Sequence, residues 1–181
     1  ERFLMKTCFT QLLFIVLVTG GFSGRNGLFA KPYVWVADGM ERVSQTGKPG
    51  REKQVQLFAA RGEYEPFQVI VTAQGENLTH INLTISDLEG PQKISNSHFT
   101  LYREHYIEVK KSSPVWRGPP NLPLGVGWYP DGLIPFVDPQ TRQDIQGAKY
   151  DAVPFDLAAG RNQPLWVDLF VPYDIPAGMY K

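Results

Sequence analysis

Between residues 67 and 72 the chain reads Phe-Gln-Val-Ile-Val-Thr, and Phe67, Val69 and Val71 alternate with the three other residues. Successive side chains of a β-strand point to opposite faces, so this spacing places the three apolar side chains on one face. Similar patterns recur along the chain and predict six strands: Tyr33–Ala37, Val55–Ala59, Phe67–Thr72, Ile81–Ile85, Phe99–Val109 and Leu165–Val171. The chain is therefore expected to consist of half-buried sheets.

Turn-forming residues separate these segments, at Asp38-Gly39, Lys48-Pro49-Gly50, Arg61-Gly62, Glu89-Gly90-Pro91 and Ser95-Asn96. Glycine permits positive φ, proline fixes φ, and asparagine tolerates the left-handed region. No amphipathic helical pattern of useful length occurs after the first thirty residues. We predict an all-β fold, an antiparallel β-sandwich of immunoglobulin-like or jelly-roll-like type, because two half-buried sheets cover each other's apolar faces.

The first residues have the features of an export signal. Met5 and Lys6 begin a weakly basic segment, and an apolar run extends from Leu12 to Val18. A spanning helix needs roughly 20 apolar residues, so this shorter run predicts a signal peptide rather than a membrane anchor. Small residues permit cleavage after Gly21 or Ser23. We assign residues 1–23 to a signal peptide with a short upstream extension, 24–32 to a linker and 33–181 to the sandwich, and we predict a secreted, periplasmic or cell-surface protein without a membrane anchor after signal removal.

Charge and residue counts argue against several classes of function. The chain has 18 basic and 18 acidic residues and no basic tract, which argues against nucleic-acid binding. Cys8 precedes the apolar run, so the mature chain would have no thiol for a disulfide or a thiolate metal site. The three histidines, His80, His98 and His105, match no metal-ligand spacing. We expect no metal and no cofactor.

Composition changes at Ser112, since most of the prolines lie from Pro114 onward. We predict a long proline-rich loop region over residues 112–164. Loops of this length in a compact domain are usually functional or dock against a neighbouring domain. The region is therefore either an interdomain surface or an irregular insertion, packed on its own sheet by Trp116, Trp128 and Phe136.

Four short motifs occur in order along the chain. They are residues 59–69 (AARGEYEPFQV), 101–106 (LYREHY), 129–135 (YPDGLIP), and 166–168 (WVD) continued by 171–180 (VPYDIPAGMY). Together they resemble the N-terminal β-sandwich of proteins similar to glycoside hydrolase family 123, those carrying the C-terminal domain of unknown function 4091. The resemblance covers residues 31–181.

This resemblance implies a division of labour in a longer protein. In that family the sandwich is followed by a (β/α)8-type barrel, where an Asp-Glu pair supports substrate-assisted, retaining hydrolysis. No position of this chain matches that pair, so no catalytic residue is carried over. The resemblance implies that the chain is a fragment whose last strand, starting at Tyr180, is cut off, and that its partner is the missing C-terminal barrel of the same polypeptide.

Two acidic residues, Glu63 and Glu65, are the only catalytic candidates within the chain. Carboxylates two residues apart on an extended strand lie on one side about 7 Å apart, within the span used by inverting glycosidases. The alternative is a structural turn with ion pairs to Arg61 or Arg103. For Asp168 we expect a half-buried position beside a backbone amide or an arginine.

Polar and aromatic side chains provide candidate contact sites. Arg103 and His105 share a strand face with Leu101, which is either a solvated outer face or a surface that docks the barrel. The aromatic residues Trp116, Trp128 and Tyr129 either stack on sugar rings or pack against protein.

Two glycosylation sequons begin at Asn77 and Asn82. They would carry glycans only in a eukaryotic secretory protein, and the family resemblance points mainly to bacteria.

These patterns together predict a non-catalytic N-terminal β-sandwich module of a secreted glycoside hydrolase. The parent protein would hydrolyse glycosidic bonds, with N-acetylhexosaminides as a candidate substrate class, in the missing barrel. Glycan is a second candidate partner. The alternatives are a stand-alone carbohydrate-binding or adhesion module and a structural domain of a surface protein.

Overall fold

The computed structural model of the chain describes residues 14–18, 32–112 and 124–181. Eight strands occur in these ranges: β1 (Phe14–Val18), β2 (Tyr33–Asp38), β3 (Tyr64–Thr72), β4 (Leu78–Ile85), β5 (Phe99–Val109), β6 (Gly127–Pro135), β7 (Phe155–Leu157) and β8 (Asn162–Phe170). A short 3-10 helix, Asn96–His98, leads into β5. No helix in the described ranges is long and apolar enough to cross a membrane.

The strands form two antiparallel sheets that pack face to face. One sheet has the order β2-β3-β8-β5-β6, and the other has the order β1-β4-β7. The predicted all-β sandwich is confirmed. The alternating residues of β3 and β8 fill the space between the sheets together with those of β4, and the fully buried members include Phe67, Val69, Val71, Leu165, Val167, Leu169 and Ile81.

A second, smaller apolar cluster lies on the outer face of the five-stranded sheet. Trp35 and Ile70 project from β2 and β3 onto this face, and Val43 from the connection between these strands packs against them. The β2–β3 connection therefore covers part of the outer face. Residues 42–46 of this connection approach β5 and β6 at the far side of the sheet, where they line a cavity.

The strand predicted at Val55–Ala59 is wrong, because this segment forms no sheet pairing. Leu57 and Ala59 are nevertheless buried in the main core, while Phe58 between them is exposed. The alternation thus indicated which side chains are buried without indicating a hydrogen-bonded ladder. An extended segment can bury alternate side chains against a core while its backbone has no strand neighbour.

The loop region predicted over residues 112–164 is also partly wrong, since it contains β6 and β7. Strand β6 pairs with β5 on one side and forms the edge of its sheet. Proline is tolerated in an edge strand because its missing N–H costs no ladder bond there. This position explains how Pro130 and Pro135 occur in a strand. The register shifts between His105 and Tyr106 of β5, opposite Gly132 and Pro130, so Asp131 is the extra residue of a β-bulge.

The apolar run that we assign to a signal peptide contains β1, whose backbone pairs with β4 from Phe14 opposite Ile85 to Val18 opposite Ile81. The signal peptide remains a prediction. Its other positions, including Met5, Cys8 and both cleavage points, lie outside the described residues.

Near the C-terminal end, Tyr180 is fully buried. The next residue, Lys181, exchanges two backbone hydrogen bonds of 2.8 Å with Glu89. The segment predicted to begin a further strand at Tyr180 therefore contacts the sandwich through one backbone pair.

Candidate functional site

The five-stranded sheet divides at a proline. Strands β5 and β8 pair from Phe99 opposite Leu169 to Arg103 opposite Leu165, and the next residue along β8 is Pro164, which has no N–H to donate. The side-chain amide of Gln163 instead donates to the carbonyl oxygen of Glu104 at 2.7 Å. Beyond this point β5 continues with β6 alone. Backbone hydrogen bonds therefore no longer join the start of β8 to the second half of β5, and the Gln163 side chain makes the remaining contact.

Part of the β2–β3 connection lies at this division and is bonded to both sides. On the β8 side, the backbone N–H of Asn162 donates to Gln45 O at 2.8 Å, and its side-chain amide donates to Ser44 O and Gly47 O, both at 2.9 Å. On the β5 side, the hydroxyl of Tyr106 donates to Val43 O at 2.8 Å. The connection is thus held in one position by polar bonds on two strands.

A buried side-chain network orients Asn162. The indole N–H of Trp35 donates to Thr72 Oγ1 at 3.0 Å, and the Thr72 hydroxyl donates to Asn162 Oδ1 at 2.6 Å. All three residues are buried. Because the amide oxygen accepts this bond, the NH2 group is the part that serves the connection, and the network fixes the amide in that orientation.

A cavity of about 420 Å³ opens beside the connection. Its lining comes from three places in the chain: Arg42 to Thr46 of the connection, Gly127 to Pro130 of β6, and Arg161 just before β8. Trp128 is 49% exposed, and the hydroxyl of Tyr129 donates to Leu124 O at 3.0 Å. The cavity therefore combines aromatic rings, hydroxyl and amide groups, and two guanidinium groups.

The cavity has a positive electrostatic character. None of the described residues that line it is acidic, whereas Arg42 and Arg161 contribute two positive charges. Arg161 Nη1 donates to Gln45 Oε1 at 2.6 Å, which holds the guanidinium against the connection. The ion pairs within the described ranges involve Lys93 and Lys110 and neither of these arginines.

Close to this cavity, β5 carries a buried carboxyl group that does not line it. Glu104 precedes Tyr106 by two residues on the same strand face and is 6% exposed. Its Oε1 has no hydrogen-bond partner among the described residues. Burial raises the pKa of Glu104 from 4.5 to about 7. Burial, and secondarily the charge of Glu104, raises the pKa of Tyr106, so its hydroxyl stays protonated and able to donate to Val43.

The two catalytic candidates have different surroundings. Glu63 is exposed, and its Oε2 accepts the backbone N–H of Ala60 at 2.8 Å, which closes the turn before β3. Glu65 is half-buried, and burial, followed by the charges of Glu63 and Asp38, raises its pKa. No ion pair of the described residues joins either glutamate to Arg61 or Arg103, so that predicted pairing is wrong.

Asp168 is half-buried as predicted, but its partner is different. The indole N–H of Trp166, two residues away on the same face, donates to Asp168 Oδ1 at 2.7 Å. Burial raises the pKa of Asp168, and the bond from Trp166 lowers it to a smaller extent. The carboxyl group thus serves to orient a partly exposed tryptophan.

Arg103 and His105 are half-buried beneath the start of β7 and the segment that precedes it. The guanidinium of Arg103 lies 5.2 Å from the ring centroid of Phe155, and the His105 ring lies 4.8 Å from that of Tyr150. Burial lowers the pKa of Arg103, and the charge of Asp151 partly compensates. This face is therefore covered in part by the chain's own residues, and neither side chain reaches the cavity.

The aromatic candidates separate into two groups. Trp128 and Tyr129 both line the cavity, whereas Trp116 lies outside the described residues. The sequon asparagines make local bonds: Asn77 Oδ1 accepts from Ala159 N, and Asn82 Oδ1 accepts from Leu83 N, both at 2.8 Å. The described residues contain no group of three or more potential metal ligands.

Sequence reasoning missed the polar part of the site. Arg42, Gln45 and Arg161 carry no local motif, since their proximity depends on how distant segments pack. A signal did exist for the buried polar group, because Glu104 alternates in phase with Tyr102 and Tyr106 on one strand face. An acid between two aromatic residues on one face indicates partial burial of that acid.

Comparison with known proteins identifies no relative of this chain. No family model matches the chain, and no curated protein matches it.

Proposed function

We propose that the chain is a non-catalytic, carbohydrate-contacting β-sandwich module of a secreted glycoside hydrolase whose catalytic barrel lies elsewhere in the same polypeptide. N-acetylhexosaminides are the proposed substrate class of that barrel. The observation that carries the proposal is the cavity lined by Trp128 and Tyr129. The four motifs that resemble the family 123 sandwich support the assignment to a hydrolase.

The chemistry of the cavity suits a sugar. Saccharide rings present C–H groups on one face and hydroxyl groups around their edge. A half-exposed indole such as Trp128 offers the flat apolar surface for the first, while Ser44, Gln45 and Thr46 offer hydrogen-bonding groups for the second. A volume of about 420 Å³ falls in the range of small-molecule sites.

The environment of the acidic candidates supports a non-catalytic role. The Glu63 carboxylate already serves as the acceptor for the Ala60 N–H. Glu65 is the second residue of β3 and is not among the residues that line the cavity. A two-carboxylate mechanism needs both groups to face one scissile bond, and neither glutamate lines the cavity.

A binding measurement on the purified full chain tests this proposal. We expect a panel of plant, bacterial and animal oligosaccharides to contain ligands whose affinity falls at least tenfold in Trp128→Ala. The matched control is Phe58→Ala, which removes a similarly exposed aromatic ring away from the cavity. Absence of binding across the panel, or equal losses in both variants, would contradict the proposal.

A stand-alone carbohydrate-binding module is the second candidate, because the described lining of the cavity already combines an aromatic ring, an amide and guanidinium groups within the sandwich. The gene sequence downstream of the Lys181 codon distinguishes the two candidates. A reading frame that continues into βα-alternating sequence of barrel length supports the hydrolase module. A stop codon directly after Lys181, combined with glycan binding by the chain, supports the stand-alone module.

A further inference from the structure

We propose that the cavity between the β2–β3 connection and the start of β6 selects acidic saccharides, binding the sugar carboxylate through Arg42 and Arg161. This inference rests on the proposed carbohydrate-contacting function and names the class of sugar.

The charge around the cavity is locally unbalanced. The whole chain is neutral, with 18 basic and 18 acidic residues, yet the described lining of this cavity has two arginines and no acid. A neutral sugar does not need this excess of positive charge. Its hydroxyl groups can donate hydrogen bonds to carboxylates as well as accept them from guanidinium groups, so a site for a neutral sugar can contain both. Two unopposed guanidinium groups instead favour a ligand that supplies a negative charge.

Arg161 is held in a fixed position at the cavity. One of its N–H groups donates to Gln45 Oε1 at 2.6 Å, while its backbone carbonyl accepts from Ala73 N at 3.0 Å. Gln45 is itself held, because its carbonyl accepts from Asn162 N at 2.8 Å. A guanidinium has five N–H donors, so the bond to Gln45 leaves donors for a bidentate carboxylate contact. The arginine is therefore oriented before any ligand arrives.

The cavity combines its positive charge with an aromatic ring. Trp128 lines the same cavity as both arginines and is half-exposed. A free anion such as sulfate would use the arginines and gain nothing from the indole. A sugar that carries a carboxylate would use both, with its ring against Trp128 and its charge at the guanidinium groups.

The test compares ligands that differ only in charge. Isothermal titration of the full chain would use oligogalacturonate, oligoglucuronate and oligoalginate, each as the free acid and as its methyl ester. The ester keeps the ring and removes the charge. We expect at least one free acid to bind tenfold or more tightly than its ester, and this preference to weaken as salt is raised.

Variants locate the charge contact. Arg161→Gln and Arg42→Gln should each abolish most of the preference for acid over ester. The matched control is Lys93→Gln, which removes one positive charge outside the cavity and should leave the preference unchanged. Arg42 is exposed, so Arg42→Gln should fold normally. This variant can therefore test the charge contact even if Arg161→Gln unfolds.

The outcomes separate this inference from the proposed function. Binding of neutral oligosaccharides without any acid preference would overturn the inference and leave the carbohydrate-contacting role intact. An acid preference that survives in both arginine variants would also overturn it. Competition by inorganic sulfate as strong as by the free acids would show a simple anion site and overturn the saccharide assignment. Absence of binding to acids, esters and the neutral panel would refute both proposals.

Discussion

The buried carboxyl group of Glu104 makes a specific prediction about stability. Glu104 lies on the same face of β5 as Tyr106. Its Oε1 has no hydrogen-bond partner among the described residues. Burial raises its pKa from 4.5 to about 7 because the charged form loses hydration. Ionisation of this group should therefore oppose folding.

Proton linkage sets the sign and the size of the effect of Glu104 on the free energy of unfolding. Below pH 4.5 the carboxyl group is protonated in both folded and unfolded chains, so it has no effect on the pH dependence. Between pH 4.5 and about 7 only the unfolded chain loses the proton, so the stability of the folded state falls as pH rises. Above that range the loss is complete. At about 1.36 kcal/mol per pH unit, the pKa difference corresponds to about 3 kcal/mol.

Glu104→Gln removes the ionisation and keeps the size of the side chain. We expect the free energy of unfolding of the variant, relative to the original chain, to increase by about 3 kcal/mol between pH 4.5 and pH 8. Urea unfolding followed by tryptophan fluorescence at several pH values measures this difference. Glu65 and Asp168 also have raised pKa values through burial, but they occur in both proteins and cancel in the difference.

Glu108→Gln is the matched control, since Glu108 is an exposed residue of the same strand and pairs with Lys110 at 3.5 Å. The difference in free energy of unfolding between this variant and the original chain should change by less than about 1 kcal/mol between pH 4.5 and pH 8. A flat profile for Glu104→Gln, or the same profile for both variants, would refute the reasoning that burial controls the ionisation of Glu104.

Three further predictions concern the framework around the cavity. Asn162→Ala removes the amide bonds to Ser44 O and Gly47 O and should lower the free energy of unfolding by about 3 kcal/mol in urea titration, whereas an unchanged midpoint would contradict the role of that network. Tyr106→Phe loses only the bond to Val43 O, so we expect a loss of about 1 kcal/mol together with weaker glycan binding, and unchanged binding would show that the connection needs no anchor on β5. Gly62→Ala and Gly75→Ala form a matched pair, because φ is +80° and +81° but only the Cβ at position 62 would overlap the ring of Tyr173. Thermal unfolding should show Gly62→Ala to be the more destabilised by at least about 1 kcal/mol, and equal melting temperatures would show that the Tyr173 ring moves freely.

Local patterns predicted much of the fold because strand side chains alternate with a period of two. Strand β5 was predicted with the observed bounds, Phe99–Val109, and the buried alternation of β3 and β8 appears in the core. Predictions failed where a strand depends on its position in a sheet. Pro130 argues against a strand in isolation, yet it is compatible with β6 because that strand lies at an edge.

The sequence by itself determined the fold class, most strands and turns such as Arg61-Gly62, and it offered Trp128 and Tyr129 among several candidate contact residues. These features depend on neighbouring residues, whose side-chain alternation and backbone preferences can be read locally. Only the tertiary structure decided that Arg161 and Gln45, which are 116 residues apart, share a hydrogen bond at one cavity. It also decided that Glu104, for which the strand alternation indicates only partial burial, is almost fully buried, while Glu108 on the same strand is exposed. Such features arise when Pro164 ends one strand pairing and a distant connection occupies the division, and no local pattern encodes where separate segments meet.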